Sequence, residues 1–500
     1  MRQITFRDLG ILWAIILIIF YPVFYTNYFY TDDIIQLTRY SKDSGFHMFA
    51  IEGRFITEHI FRHLFSTIHT IGQITRLRLF PLLGWMVCIP VWYTILTRVA
   101  RQEELPSLLP FFTVLYLIAC PPFCLGVGWI SCMELFIANT TGLIAGYVLY
   151  SNIKFVADSP DGKYKRMELP PRAMAWTLLW GIISLFTYQN GFGCFLLPFL
   201  LHLISKREWS RTIITAMGFY LFTYLLYYGM FIWQMQLWQI NAAARTGLSQ
   251  DPLGKIGFFF SRPLAGAFRF TWIVREDSHM GEWVYESILG GWLLLNFFIL
   301  RARSISFRLR YLIGIFCFLG LIYLPSLVVK ENYASNRTLL GLDIAVFVLV
   351  FTTLLEAVRV ERYQWSLAML MGLFFVGNAW YNFRYQFLGP VKKEYDQVRN
   401  YIETQYHPGI TRVAFIRPPQ QLFQDKYGVH VSWDEFGVPS SYPDWVPEAF
   451  VRQVVWEKTG NKPAADSLII ANWPDKQAYR KGEPTPSSST MTIDVEDILR

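Results

Sequence analysis

The sequence predicts an α-helical polytopic membrane protein of about 11 transmembrane helices, followed by a small C-terminal α/β soluble domain. Three observations predict it. Of 500 residues, 53% are hydrophobic and only 16% charged, whereas a soluble chain of this size carries about a quarter charged residues. Aromatic residues reach 18%, an enrichment that suits lipid-facing surfaces and interfacial belts. The formal charge of +8 is spread in short basic clusters between apolar runs. That is the pattern that orients membrane spans and not a stripe for nucleic acid, so no nucleic-acid partner is expected.

Eleven segments are apolar enough to span: 9–29, 79–97, 107–123, 131–150, 173–188, 191–205, 212–235, 284–300, 311–329, 338–358 and 365–383. The fifth and sixth are short and meet at Tyr188-Gln189-Asn190-Gly191, so they also read as one broken or re-entrant unit. With Arg2 and Arg7 inside, alternate connections carry Arg98 and Arg101; Lys154, Lys163, Lys165, Arg166 and Arg172; Lys206, Arg207 and Arg211; Arg301, Arg303, Arg308 and Arg310; Arg359 and Arg362. The opposite connections at 124–130 and 189–190 have no Lys or Arg. This positive-inside asymmetry, over an odd number of spans, puts the C-terminus outside. The first apolar run is too long for a cleavable signal.

Residues 1–383 thus form a transmembrane domain with long outside loops at 30–78 and 236–283, the second holding Arg245, Arg262, Arg269, Arg275, Glu276 and Asp277. Composition changes at 384–500, which reads as an extracytoplasmic α/β domain. An amphipathic helix around Lys392–Glu403 precedes β-rich runs at 411–416, 467–471 and 491–495. Pro484, Thr485, Pro486 and Ser487 mark a loop before the last run. Cys88, Cys194 and Cys317 lie in apolar segments as small core residues. Cys120, Cys124 and Cys132 lie near one face and are disulfide candidates if that face is oxidising.

The polar groups near the predicted outer face draw attention. Asp32 and Asp33 follow the first span directly, either as a general base and an acceptor-orienting carboxylate or as a helix cap. Arg54, in Glu52-Gly53-Arg54, is either a phosphate clamp or a solvated turn residue. The 55–69 segment spaces Ile56, Ile60, Leu64 and Ile68 by four, an amphipathic helix for the membrane surface. His59 and His63 on its polar face have metal-compatible spacing, but a solvated interfacial face is the better explanation. Tyr188 and Gln189 end the fifth span, as sugar-binding groups or a cap. Lys330, Glu331 and Arg337 flank the ninth and tenth spans, as site residues or snorkelling ends. Asp343, inside the tenth span, needs a partner. No P-loop, paired CxxC or Gly-x-Ser-x-Gly elbow occurs, which weakens ATPase, zinc-ribbon and serine-hydrolase readings.

The order of these motifs resembles the GtrII-type bacterial glucosyltransferase family, within the polytopic GT-C glycosyltransferases. The matching residues are Asp32, Asp33, Gly53, Arg54, Tyr188, Gln189, Glu331 and Arg337, with Asp434-Glu-Phe-Gly437 and Pro439-Ser440-Ser441 also similar. Arg39 departs from the pattern, which has a basic residue nearer the Asp pair. The resemblance implies a GT-C-like fold in a bacterial inner (cytoplasmic) membrane, working on the periplasmic side. It implies transfer of a hexose from a polyprenyl-phosphate-linked sugar donor to a glycan acceptor such as O-antigen, by one inverting displacement. Asp32 or Asp33 would be the base, and Arg54, Tyr188, Gln189, Lys330, Glu331 and Arg337 would bind donor or substrate. No cofactor is required, and help from a divalent metal is left open. A lipid-linked glycan flippase and a glycan polymerase or ligase are the competing readings. A flippase would place ionisable groups at the bilayer midplane within inverted repeats, whereas here they cluster at one face.

The topology is testable with reporter fusions. Fusions after Lys163 and Arg303 should report the cytoplasm, and a fusion after Lys392 the outside. Cytoplasmic signal at Lys392 would overturn it.

Overall fold

Proline and glycine decide where the apolar helices break. The computed structural model describes residues 6–40, 45–157, 165–275, 278–482 and 488–499. Arg2, Lys163, Glu276, Asp277, Pro484, Thr485, Pro486 and Ser487 lie outside them. Helix covers part of every one of the eleven apolar segments. Among the described residues, six helical stretches are long and apolar enough to cross a membrane: Phe6–Phe24, Ile71–Gln102, Ile130–Asn152, Arg211–Trp238, Ile305–Ile322 and Asn336–Ala357. A seventh is counted if the pair Leu109–Ala119 and Pro121–Gly128 is one span, bent by 50°. Pro121 causes that bend: it drives Cys120 to φ −71°, ψ 151°, out of the helical region.

The fifth and sixth segments form the broken unit. Helix Pro171–Thr187 ends at an extended Tyr188, a 3₁₀ stretch Gln189–Leu196 follows, and helix Leu197–Lys206 resumes. Helix Leu135–Asn152 packs tightly on this unit, and two glycines allow the approach. A Cβ on Gly146 would lie 2.0 Å from the Phe195 carbonyl oxygen, and one on Gly142 would lie 2.7 Å from that of Gly191. Of the six span-length helices, Asn336–Ala357 is the most enclosed.

Helix Phe55–Phe65 buries Phe55, Phe61 and Phe65, with Glu58 between them. Ile56, Ile60 and Leu64 are only partly covered, so the aromatic stripe and not the aliphatic one faces the core. Glu58 accepts from the Tyr40 hydroxyl (3.0 Å) and the Phe49 amide (3.0 Å), which ties the preceding loop to the helix. His59 and His63 are exposed. All six cysteines are free, and Cys120, Cys124 and Cys132 are buried.

Helix Glu361–Tyr381 does not stop at the end of its apolar run. It continues through a π turn, Asn382–Leu388, into Gly389–Gln405. The C-terminal sheet is all parallel in the order Ile469–Trp473, Arg412–Ile416, Thr490–Asp494, so the three β-rich runs of the sequence are its strands. Val413 and Phe415 of the central strand are fully buried. A short antiparallel pair, Lys154–Ala157 with Lys165–Glu168, was not foreseen.

The C-terminal region docks on the segment that follows the first helix. Phe29 packs at 4.6 Å from Phe450 and 6.0 Å from Tyr395. Buried Glu394 accepts from the Ser440 and Ser441 amides (2.6 and 3.1 Å), and the Ser440 hydroxyl donates to the Phe29 carbonyl at 3.3 Å. Glu457 accepts the Ile71 amide at 2.7 Å. The end of the first helix and residues 389–499 therefore share one side of the bundle.

Gly146→Ala should lower stability by about 1–3 kcal/mol, because overpacking outweighs the gain in helix propensity. Thermal unfolding in detergent checks this, and an unchanged midpoint would contradict the packing described.

Candidate functional site

A strained turn splits the aspartate pair. Thr31 sits at φ +37°, a conformation a β-branched residue rarely adopts. Tyr30 before it is fully buried against Trp129 and Phe387, each 5.1 Å away between ring centroids, and its hydroxyl donates to the Asp434 carbonyl at 3.0 Å. The turn sends the two carboxylates in different directions.

Asp33 points inward. Its Oδ2 accepts from the Tyr30 amide (3.1 Å) and Arg78 Nη2 (3.4 Å); its Oδ1 accepts from the Ser131 amide (3.3 Å) and hydroxyl (3.0 Å). Arg78 is itself fully buried, 3.5 Å over the Tyr28 ring, and donates to the Tyr28 and Gly128 carbonyls. Burial pushes the Asp33 carboxyl up to about 7, against the pull of Arg78, the Tyr30 amide and Ser131. Asp32 is half-buried and points to the outer rim, where its Oδ1 accepts the indole N–H of Trp445 at 3.0 Å. Burial also raises its pKa, and Arg337, Trp445 and Arg245 oppose the rise.

Two guanidiniums flank a second buried carboxylate, Glu134. Arg54 stacks 4.4 Å over the Tyr188 ring, pairs with Glu52 at 3.1 Å and lies 3.9 Å from Glu134. Arg245 also pairs with Glu52. Arg337 stacks 4.6 Å over Trp129, contacts Asp434 (3.3 Å), Glu435 (3.5 Å) and the Tyr333 hydroxyl, and acts electrostatically on Glu134. Glu435 accepts the Asn336 and Arg337 amides (2.6 and 3.2 Å). It thus caps helix Asn336–Ala357 from the C-terminal region and places a negative charge at the positive end of the helix dipole. Thr31 Oγ1, Arg54 Nε, Trp129 Nε1, Glu134 Oε2 and Ser335 Oγ are buried without a protein partner. Buried polar atoms are normally bonded, so these five mark a polar interior suited to ligand or solvent oxygens.

The other sequence-selected residues divide. Tyr188 is the platform under Arg54. Gln189 donates to the Glu52 carbonyl (2.6 Å) and the Tyr227 hydroxyl (2.7 Å), so it holds the loop that carries Arg54. That loop turns at Gly53, φ +80°, where a Cβ would lie 2.2 Å from the Tyr227 hydroxyl oxygen. Lys330 and Glu331 are exposed and are tied in by their backbones, to Gly247 and to Lys255. The structure does not bring them into the Arg54–Glu134–Arg337 set. Asp343 is buried beside a narrow cavity that Arg262, Arg269 and Asn336 also line.

Sequence reasoning missed Trp129, Ser131, Glu134, Arg78 and Trp445. Glu134 carried a usable signal, since an acid at the head of an apolar span is costly without a partner. No family model and no curated protein matches the chain.

Chemically, Asp32 is a rim carboxylate within the field of Arg337 and Arg245, and the stacked guanidiniums of Arg54 and Arg337 are groups that can offset an anion. Burial raises Glu435 to about 7, opposed by Arg337 and Asn336. A raised folded-state pKa means that the folded protein holds the extra proton. This group's contribution to stability is therefore complete below its unfolded value of about 4.5 and lost as pH rises through about 7. Glu435→Gln should flatten this part of the fall in melting temperature between pH 5 and 8. Identical slopes in both proteins would show that Glu435 does not titrate there.

Proposed function

We propose that the chain is a membrane glycosyltransferase that moves a hexose from a polyprenyl-phosphate carrier to a cell-envelope glycan. The resemblance favours glucose as the sugar and O-antigen as the acceptor. One observation carries the reading. A rim carboxylate, Asp32, shares its side of the bundle with two aromatic-stacked guanidiniums, Arg54 and Arg337, amid buried polar atoms that lack partners. A lipid-phosphate donor needs such a pairing, because its tail stays in lipid while its phosphate and sugar meet water.

In the proposed step the acceptor hydroxyl gives its proton to Asp32. Its oxygen forms a bond to the anomeric carbon from the face opposite the phosphate. The carbon–oxygen bond to phosphate breaks, and the electron pair leaves with the lipid phosphate, whose charge Arg54 and Arg337 offset. Configuration inverts. Asp33 has a different role: its carboxylate is spent on Arg78, Tyr30 and Ser131 and holds the turn that aims Asp32.

The same reading places the chain in a bacterial cytoplasmic membrane with eleven spans, residues 384–500 on the periplasmic side and Lys330 and Glu331 at the cavity rim. Docking of the C-terminal region on Phe29 and Ile71 supports an even number of crossings between them, as the ten spans after the first require.

Asp32→Asn should insert normally and lose transfer by roughly 10²–10⁴-fold, the range for removing a general base. Asp33→Asn should instead lower thermal stability, since breaking one side of a buried ion pair costs about 3–5 kcal/mol. Release of lipid phosphate from polyprenyl-phosphate sugars by purified protein measures the first effect. Full transfer by a well-inserted Asp32→Asn protein would sink this assignment.

A further inference from the structure

Trp445 has two faces to its environment. Its N–H binds Asp32, yet the residue is 53% exposed and its ring walls a separate cavity. That cavity lies between helix Asp33–Arg39 and helix Val446–Thr459 and measures about 190 Å³. At ~30 Å³ per water it has room for about six waters, the scale of a single pyranose ring.

The lining suits a polyhydroxyl ligand. Trp445 and Trp456 contribute indole surface, Ile35 an apolar patch, and Arg39, Arg452 and Glu448 the polar groups. Flat aromatic faces pack on the C–H side of a sugar, while a few fixed donors and acceptors orient its hydroxyls. Arg452 spends Nη1 on Glu448 (2.5 Å) and Nη2 on the Leu468 carbonyl (3.1 Å), but its Nε is buried without a partner. Charges of both signs line the space, since Glu448 and Asp466 stand with Arg39, Arg452 and Lys462. Carboxylates accept from hydroxyls and the cations donate to them, a mixed lining that matches a polyhydroxyl ligand.

We propose that this cavity is an acceptor subsite, holding one sugar unit of the glycan next to the unit whose hydroxyl gives its proton to Asp32, with Trp445 between the two. The inference rests on the transfer reading above and assigns a role to Arg39, which the sequence left without one.

Trp445 lets the wall and the hydrogen bond be separated. Trp445→Phe keeps a flat face but cannot donate to Asp32. It should hold the acceptor KM within twofold and move the rising limb of the kcat–pH profile to higher pH, because the N–H bond lowers the Asp32 pKa and its loss lets the pKa rise. Trp445→Ala loses the wall as well and should raise the acceptor KM tenfold or more. Arg39→Ala should raise the acceptor KM more than the donor KM. Equal acceptor KM values for Trp445→Ala and Trp445→Phe, or an Arg39→Ala effect on the donor alone, would overturn the proposal.

A binding measurement stands apart from activity. Full-length protein in nanodiscs is mixed with methyl glycosides of glucose, galactose, mannose, rhamnose and N-acetylglucosamine and followed by saturation-transfer difference NMR. At least one glycoside should receive saturation from the wild type and lose it with Trp445→Ala, while Trp445→Phe retains it. No saturation of any glycoside would also overturn the subsite. If a glycoside binds in this way but no polyprenyl-phosphate sugar releases lipid phosphate, the transfer reading fails while the sugar site stands.

Discussion

The buried ion pair between Asp33 and Arg78 is the constraint on which the outer end of the bundle depends. It joins three stretches distant in sequence: the turn after the first helix, the start of helix Leu79–Gln102, and the Gly128–Ser131 link. Neither side chain reaches solvent. The pair is therefore tolerable only because hydrogen bonds from Tyr30 and Ser131 to Asp33, and from Arg78 to two carbonyls, offset the loss of hydration. Such a pair adds little net stability, but it strongly penalises any arrangement that separates its halves. Its effect is to select one geometry for the Thr31 turn, and that geometry is what sets Asp32 at the rim.

A second set of contacts completes the same end from the other terminus. Residues 432–445 lie over the mouth of the bundle, where Glu435 caps helix Asn336–Ala357, Asp434 meets Arg337 and Trp445 meets Asp32. The C-terminal region is thus a structural part of the polar site and not an appendage to it. Remove it, and helix Asn336–Ala357 begins with uncapped amides while Arg337 loses both acidic partners.

Much of the architecture was legible because it rests on local rules. Apolar length located the helices, and short β-rich runs marked three strands whose parallel pairing needs intervening helices; the bend at Pro121 inside the 107–123 segment was not read from the sequence. The partition of Asp32 from Asp33 was legible only as a possibility, since adjacent residues in a turn share a sequence but not an environment. Ser131 and Arg78 were hidden for a different reason. Each reads as ordinary span-edge composition, and only tertiary contacts 45 to 98 residues long in sequence reveal the partners of Asp33. Trp445 is 413 residues from Asp32, beyond any periodicity argument.

The uninterrupted helix from Glu361 to Gln405 makes the last apolar segment a lever arm. Its part beyond the π turn has 17 residues, about 25 Å at 1.5 Å per residue. A tilt of about 10° at the π turn would sweep the far end through about 4 Å. That exceeds the 2.6 Å span of the Glu435–Asn336 bond. Because Glu394 on that arm holds the Ser440 and Ser441 amides, any lean of the helix is passed to the segment that carries Asp434 and Glu435.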